Sequence, residues 1–137
     1  MGLRIPPEKI LTSGEATALF LSEKMPAARI YLAGTPALEE EFISHGFVLV
    51  QERPDAVVLG FDTTLTYEKL WKLCDFARAG YPYLATHGDF NCPIENGYKP
   101  DIGAMIAFIK ASTGREPDQV IGKPNRAKLD NLKRHAF

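Results

Sequence analysis

A chain of 137 residues fits one domain, long enough to bury about two-thirds of the surface that its unfolded form exposes. With 16 basic against 17 acidic residues and a net charge of -1, it has no broad field for nucleic acid or an anionic membrane, so small molecules or protein are the expected partners. Cys74 and Cys92 are the only cysteines, too few for a disulfide scaffold; no segment approaches the ~20 apolar residues of a membrane span or the apolar core of a signal peptide, and a cytoplasmic location is expected.

Apolar runs of strand length alternate with helical patterns, the arrangement of parallel strands joined by crossover helices, and the expected class is α/β with a mostly parallel sheet flanked by helices. Ile10-Leu11-Thr12 reads as a short strand, followed by a helix capped by Ser13 and running from about Gly14 to Met25, where Pro26 ends it. Arg29 to Ala33 is the next strand; Thr35-Pro36 then supply an N-cap and a first-turn proline for a helix that ends at Gly46. Glu39, Glu40 and Glu41 fall on a solvated face near that helix's positive end. Strands are expected at Phe47 to Val50 and Ala56 to Leu59, on either side of the polar turn Glu52-Arg53-Pro54-Asp55. Thr66 caps a helix whose stripe Tyr67, Leu70, Trp71 and Cys74 is expected in the core, closing at Gly80. Tyr83 to Thr86 is a strand that empties into a long irregular loop, His87 to Asp101, of the kind that is usually functional. Ile102, Met105, Ile106 and Ile109 mark an amphipathic helix ending at Gly114, and Gln119 to Ile121 is the last strand, followed by a basic tail from Arg126 to Phe137.

Four places could carry chemistry. The strand leading into Gly60-Phe61-Asp62-Thr63-Thr64 is like the Asp-x-Asp-x-Thr of aspartate-nucleophile phosphatases, but glycine occupies the first aspartate position and cannot form an acyl phosphate. Asp62 is expected to organise a turn before the Thr66 cap. Thr86-His87-Gly88-Asp89-Phe90-Asn91 lies where a strand's carboxyl end opens into a loop, the place where open α/β sheets bind ligands; its polar groups serve either substrate contact or local backbone hydrogen bonds. Ser13 in Thr12-Ser13-Gly14 has no assignable histidine base and is explained by helix capping, while His45 and His135 read as surface residues. Lys123, between Gly122 and Pro124 at a strand end, can reach an anion. One charge-assisted contact is worth about 1.5–3 kcal/mol, against the ~8–23 kcal/mol that enzymes commonly supply, so this lysine could assist phosphoryl chemistry without constituting it.

In order and spacing, Ile10 to Thr17, Asp55 to Tyr67, Ala85 to Asp89 with Cys92-Pro93, Gly97, Pro100, and Thr113 to Pro117 leading into Gly122-Lys123-Pro124 resemble the haloacid-dehalogenase-like (HAD) phosphatases of the NagD and p-nitrophenylphosphatase-like subfamily. The resemblance implies an HAD-like α/β cap domain over residues 28–118, with pieces of the catalytic core at 1–27 and 119–137. It places Lys123 on the core lysine that balances the charge of nucleophile and phosphate, with Gly122 and Pro124 beside the phosphate, and sets Thr86, His87, Asp89 and Asn91 toward the leaving group. By the same resemblance the nucleophilic aspartate, its acid partner and a threonine motif belong before Met1, and further Mg²⁺ ligands after the lysine. Mg²⁺ is implied for the full-length family, with no metal expected to bind this chain tightly. The family pattern usually has asparagine where His87 stands.

The resulting expectation is the cap portion of a Mg²⁺-dependent phosphatase of small phosphomonoesters, inactive alone, with a small phosphorylated metabolite as ligand and a cap that often supplies a homodimer interface. The alternatives are a stand-alone small-molecule-binding or dimerisation module with the same fold, and a small complete hydrolase with an unrecognised site.

Overall fold

The computed structural model describes residues 12–122. Within them, α1 (Ser13–Lys24) is followed by β1 (Arg29–Ala33), α2 (Pro36–Ser44), β2 (Val48–Leu49), β3 (Ala56–Leu59), α3 (Tyr67–Ala79), β4 (Tyr83–Ala85), β5 (Asn91–Ile94), β6 (Gly97–Pro100), α4 (Ile102–Thr113) and β7 (Gln119–Val120). The expected strand at Ile10-Leu11, Lys123-Pro124, His135 and the basic tail lie outside the described residues.

Local sequence sets most of the helix ends. Thr35 and Thr66 accept from Leu38 and Lys69 N–H as N-caps of α2 and α3, and Pro36 sits in the first turn of α2. Gly80 and Gly114 close α3 and α4 in the left-handed conformation, φ 89° and 78°, a region that a Cβ disfavours. The start of α1 corrects the sequence reading: Thr12 is its N-cap, bonded reciprocally with Glu15, and Ser13 is its first residue. Thr12 and Ser13 have equal capping chemistry, but only Thr12 has a glutamate three residues on to complete a capping box.

All pairings in the five-stranded sheet, order β2-β1-β3-β4-β7, are parallel. Side chains alternate across it. Ile30, Ala56, Val58, Leu84 and Ile121 face α1 and α2, packing on Leu19, Phe20 and Phe42. Tyr31, Ala33, Val57, Leu59, Tyr83 and Ala85 face α3 and α4, packing on Leu73, Phe76, Ile102 and Ile109. Burial on both faces explains why the four residues of β3 are all apolar and all buried. Strand order reverses between β1 and β3, so the chain diverges at their carboxyl ends and leaves a crevice there.

Two expectations fail. Tyr67 and Trp71 are 74% and 60% exposed, whereas Leu73, Cys74, Phe76 and Ala77 form the buried face of α3; the aromatic stripe and the core stripe share Cys74, and periodicity alone does not say which side meets the sheet. The stretch from His87 to Asp101 is not irregular throughout: β5 and β6 form an antiparallel hairpin, Asn91 opposite Pro100 and Ile94 opposite Gly97. Prolines are tolerated there because the two strands stand alone, each with a free edge.

Adjacent residues of β4 offer a test of the two faces. Leu84 is fully buried, and Leu84→Ala is expected to cost about 2–5 kcal/mol in urea unfolding. The buried Tyr83 hydroxyl has no hydrogen-bond partner among the described residues, and burial holds its pKa well above the ordinary value. Tyr83→Phe, which removes an unsatisfied polar atom and keeps the ring, is therefore expected to leave stability unchanged or higher.

Candidate functional site

A cavity of about 280 Å³ opens at the carboxyl ends of the strands, lined by Thr12, Ser13 and Gly14 from the start of α1, Thr35 and Leu38 beyond β1, Phe61 beyond β3, and Thr86 and His87 beyond β4. Glycine at position 60 suits this packing. A Cβ there would lie 2.4 Å from Leu38 Cδ2 and 3.1 Å from the Ala33 carbonyl oxygen, so a side chain at the position that resembles a nucleophilic aspartate would push the Leu38 methyl aside and crowd the end of β1.

Beside it, Asp62 does what turn chemistry dictates. Its carboxylate accepts from Thr64 N–H at 2.8 Å and from the Thr64 hydroxyl, and pairs with Lys69 Nζ at 2.8 Å. Burial acts to raise its pKa, but the hydrogen bonds from Lys69 and Thr64 prevail and hold it below the ordinary carboxylate value. A carboxylate locked in this way is a structural anchor for the turn into α3.

At the other end of the cavity, His87 follows directly from β4 and is bonded on both ring nitrogens. Nε2 lies 2.9 Å from Asp101 Oδ1, and Nδ1 lies 3.2 Å from Ser13 Oγ. A carboxylate only accepts, so in the neutral ring Nε2 carries the hydrogen and Nδ1 accepts from the Ser13 hydroxyl. Asp101 is buried and is itself fixed as the N-cap of α4, where Oδ1 accepts Ile102 N–H at 2.7 Å. The loop after His87 passes close under the same helix: Gly103 N–H donates to the Asp89 carbonyl at 2.7 Å, and a Cβ on Gly103 would meet the Gly88 oxygen at 2.4 Å. Glycine at 103 is thus what lets the loop approach α4 and holds His87 against Asp101.

Of the residues singled out in sequence, Thr86 and His87 line the cavity, with Thr86 buried and His87 half-buried. Asp89 is exposed nearby, and Asn91 is exposed at the start of β5, away from the cavity lining. Gly122 donates its N–H to the Thr86 carbonyl at 2.7 Å, which brings the chain to the site immediately before Lys123. His45 is occupied by Glu41 of its own helix turn. Ser13, set aside in sequence for want of a base, and Asp101, not singled out there, lie 74 and 14 positions from His87, and no local pattern encodes the meeting. The absence of a base for Ser13, inferred from sequence, is corrected by the His87 contact.

His87, Asp89 and Asp101 bring one ligand atom each to within 4.8 Å of one another. A mixed nitrogen and carboxylate set of this kind does not fit Mg²⁺, which prefers a near-octahedral shell of oxygen and water. Both ring nitrogens are moreover spent on hydrogen bonds within the protein.

An all-parallel sheet with helices on both faces, a crevice at its carboxyl ends and a polar loop after β4 define an α/β fold of the HAD phosphatase type. No family model matches the chain. It is 38% identical over 125 residues to the acid sugar phosphatase of Staphylococcus aureus (strain MRSA252), covering 90% of this chain and 48% of that protein. A solved structure described as a putative nagD protein superposes with a TM-score of 0.83 at 47% identity, covering 98% of this chain and 53% of the other. A glycerol phosphate phosphatase from Mycobacterium tuberculosis in complex with magnesium superposes with a TM-score of 0.78 at 34% identity, covering 91% and 40%. In sequence and fold the chain is similar to the NagD-like HAD phosphatases, and it spans about half the length of the curated relatives it matches.

The Asp62 anchor has a definite pH signature. Its folded pKa is depressed, so its contribution to stability is present above the unfolded value of about 3.9 and is lost as pH falls through the lower folded value. Asp62→Asn is expected to lower the urea midpoint at pH 7, and the gap from the unsubstituted chain should close below about pH 4; a gap independent of pH would mean that the carboxylate's charge is not what stabilises the turn.

Proposed function

We propose that this chain is the cap-bearing portion of a Mg²⁺-dependent phosphatase of small phosphomonoesters such as sugar or polyol phosphates, acting in the cytoplasm. Residues 28–118 form the cap, and 1–27 and 119–137 run to and from a catalytic core. The observation that carries this reading is the extent of the match: a putative nagD protein is 47% identical over 98% of this chain but only 53% of its own length. Thr12 lines the cavity, and Gly122 bonds to Thr86 in its wall, so the start of α1 and the residues after β7 lie at the end of the sheet that bears the site. Relatives named as sugar and glycerol phosphate phosphatases, one of them holding magnesium, support the reaction class.

In the assembled enzyme Thr86 and His87 face the leaving group from the cavity wall, Asp89 and Asn91 would reach it only from the exposed loop beyond, and Lys123, flanked by Gly122 and Pro124, faces the phosphoryl group. Mg²⁺ would supply charge neutralisation at the phosphate and is held by the core. Among the described residues the cavity wall has Glu15 and Glu41 but no lysine or arginine, which suits hydroxyl groups better than phosphate. The chain by itself brings no carboxylate able to become phosphorylated.

A second reading, a dimerisation or binding module, is favoured by one feature: Tyr67, Trp71 and Phe108 are exposed around a shallow groove between α3 and α4. Light scattering separates the two, a tight dimer of the isolated chain favouring the module.

For the first reading, the chain with Mg²⁺ is expected to give no turnover of p-nitrophenyl phosphate above background. Glycerol phosphate should nevertheless shift the amide resonances of residues 86–91 in a two-dimensional NMR titration. Turnover that Asp62→Asn abolishes, or a titration that leaves those resonances unmoved, would contradict it.

A further inference from the structure

The hydrogen bonds of His87 have the form of a nucleophile relay, in which an acid orients an imidazole and the imidazole accepts from a hydroxyl. Asp101, 7% exposed, fixes Nε2–H; Nδ1 is then the acceptor, with Ser13 Oγ at 3.2 Å and the Thr86 hydroxyl farther off at 3.5 Å. The ring is used in the sense opposite to the familiar triad, Nδ1 rather than Nε2 meeting the serine, which leaves the proton bookkeeping unchanged. Ser13 is the first residue of α1 and lines the cavity with Gly14. First-turn N–H groups have no partner four residues back; that of Glu15 is taken by the Thr12 hydroxyl, while no described residue takes those of Ser13 and Gly14. Their direction along the positive end of α1 suits a developing oxyanion. Nucleophile, base and oxyanion donors thus line one cavity, with the orienting acid behind the His87 ring.

We propose that Ser13 is an activated nucleophile that takes an acyl group from small uncharged carboxylic esters. This goes beyond the phosphatase reading and does not rest on it, because Ser13, His87 and Asp101 all belong to the described chain. Ser13 Oγ attacks the ester carbonyl carbon as its proton passes to Nδ1 of His87. The tetrahedral oxyanion collapses, breaking the bond to the alkoxy oxygen, and the alcohol leaves with the proton from Nδ1. Water, deprotonated by the same nitrogen, releases the carboxylic acid and regenerates the serine. Asp101 is a positioning residue that holds the ring and stabilises the imidazolium. The cavity selects for size: about 280 Å³ admits a short acyl group, and Leu38 and Phe61 supply apolar wall to receive it.

The folded chain is treated with a fluorophosphonate, whose fluoride is displaced by a reactive serine oxygen, and the adduct is mapped by peptide mass spectrometry; p-nitrophenyl acetate hydrolysis is followed in parallel. Covalent modification at Ser13 is expected, absent in Ser13→Ala and at least about tenfold slower in His87→Gln. Asp101→Asn retains an acceptor for Ile102 N–H, so α4 stays capped and the circular dichroism spectrum unchanged; kcat for the acetate should fall at least about tenfold with KM nearly constant. No adduct on Ser13 in the folded chain, or an adduct that forms as fast in Asp101→Asn as in the unsubstituted chain, would overturn the proposal.

Discussion

The imidazole of His87 joins elements that pack on opposite faces of the sheet, because α1, which carries Ser13, lies on one side and α4, which carries Asp101, lies on the other. His87 can do so only because it sits at the carboxyl end of β4, past the last strand residue, where neither face of the sheet lies between the two helices. A neutral hydrogen bond contributes about 0.5–1.5 kcal/mol and one to a charged group about 1.5–3 kcal/mol. Such amounts do not hold the domain together; burial on the two faces does that. They instead fix where the first turns of α1 and α4 stand relative to each other, and hence the shape of the cavity.

Two close approaches make that geometry attainable. Leu38 closes over Gly60 on one side of the crevice, and the Gly88-Asp89 backbone runs beneath Gly103 on the other. At Gly103 the close atoms are backbone, so a side chain is excluded there; at Gly60 the closest is a Leu38 methyl, which a side chain would displace. Position 60 thus offers no carboxylate, and Asp62 is drawn into a turn with Thr64 and Lys69. The likeness of that segment to an aspartate-nucleophile motif is a by-product of a strand leading into an Asx-type turn.

Much of the fold was legible in sequence because its signals are local. The apolar runs of β1 and β3, the caps Thr35 and Thr66 and the stops Gly80 and Gly114 lie where pattern and turn chemistry place them. What was not legible depends on which neighbour a residue meets. Tyr67 and Trp71 have the spacing of a core stripe, yet α3 is rotated so that Leu73 and Phe76 meet the sheet. The β5–β6 hairpin hid behind Pro93 and Pro100, which argue against a central strand but not against an isolated pair. In the site, Thr86 and His87 were found from their place at a strand end, a property of the topology. Ser13 looked like a helix cap and Asp101 like the end of a loop, whereas Asp101 is the cap, of α4; their shared contact with His87 is a long-range product of folding that no short window contains.

The tautomer and partners of His87 are the central claim, and nitrogen-15 NMR of the imidazole tests it most directly. The expected spectrum of the neutral ring shows Nε2 protonated, with a downfield hydrogen held to Asp101, and Nδ1 as a hydrogen-bond acceptor that changes shift in Ser13→Ala. An Nδ1–H tautomer, or averaged shifts from a ring free to rotate, would contradict the geometry on which the site has been built.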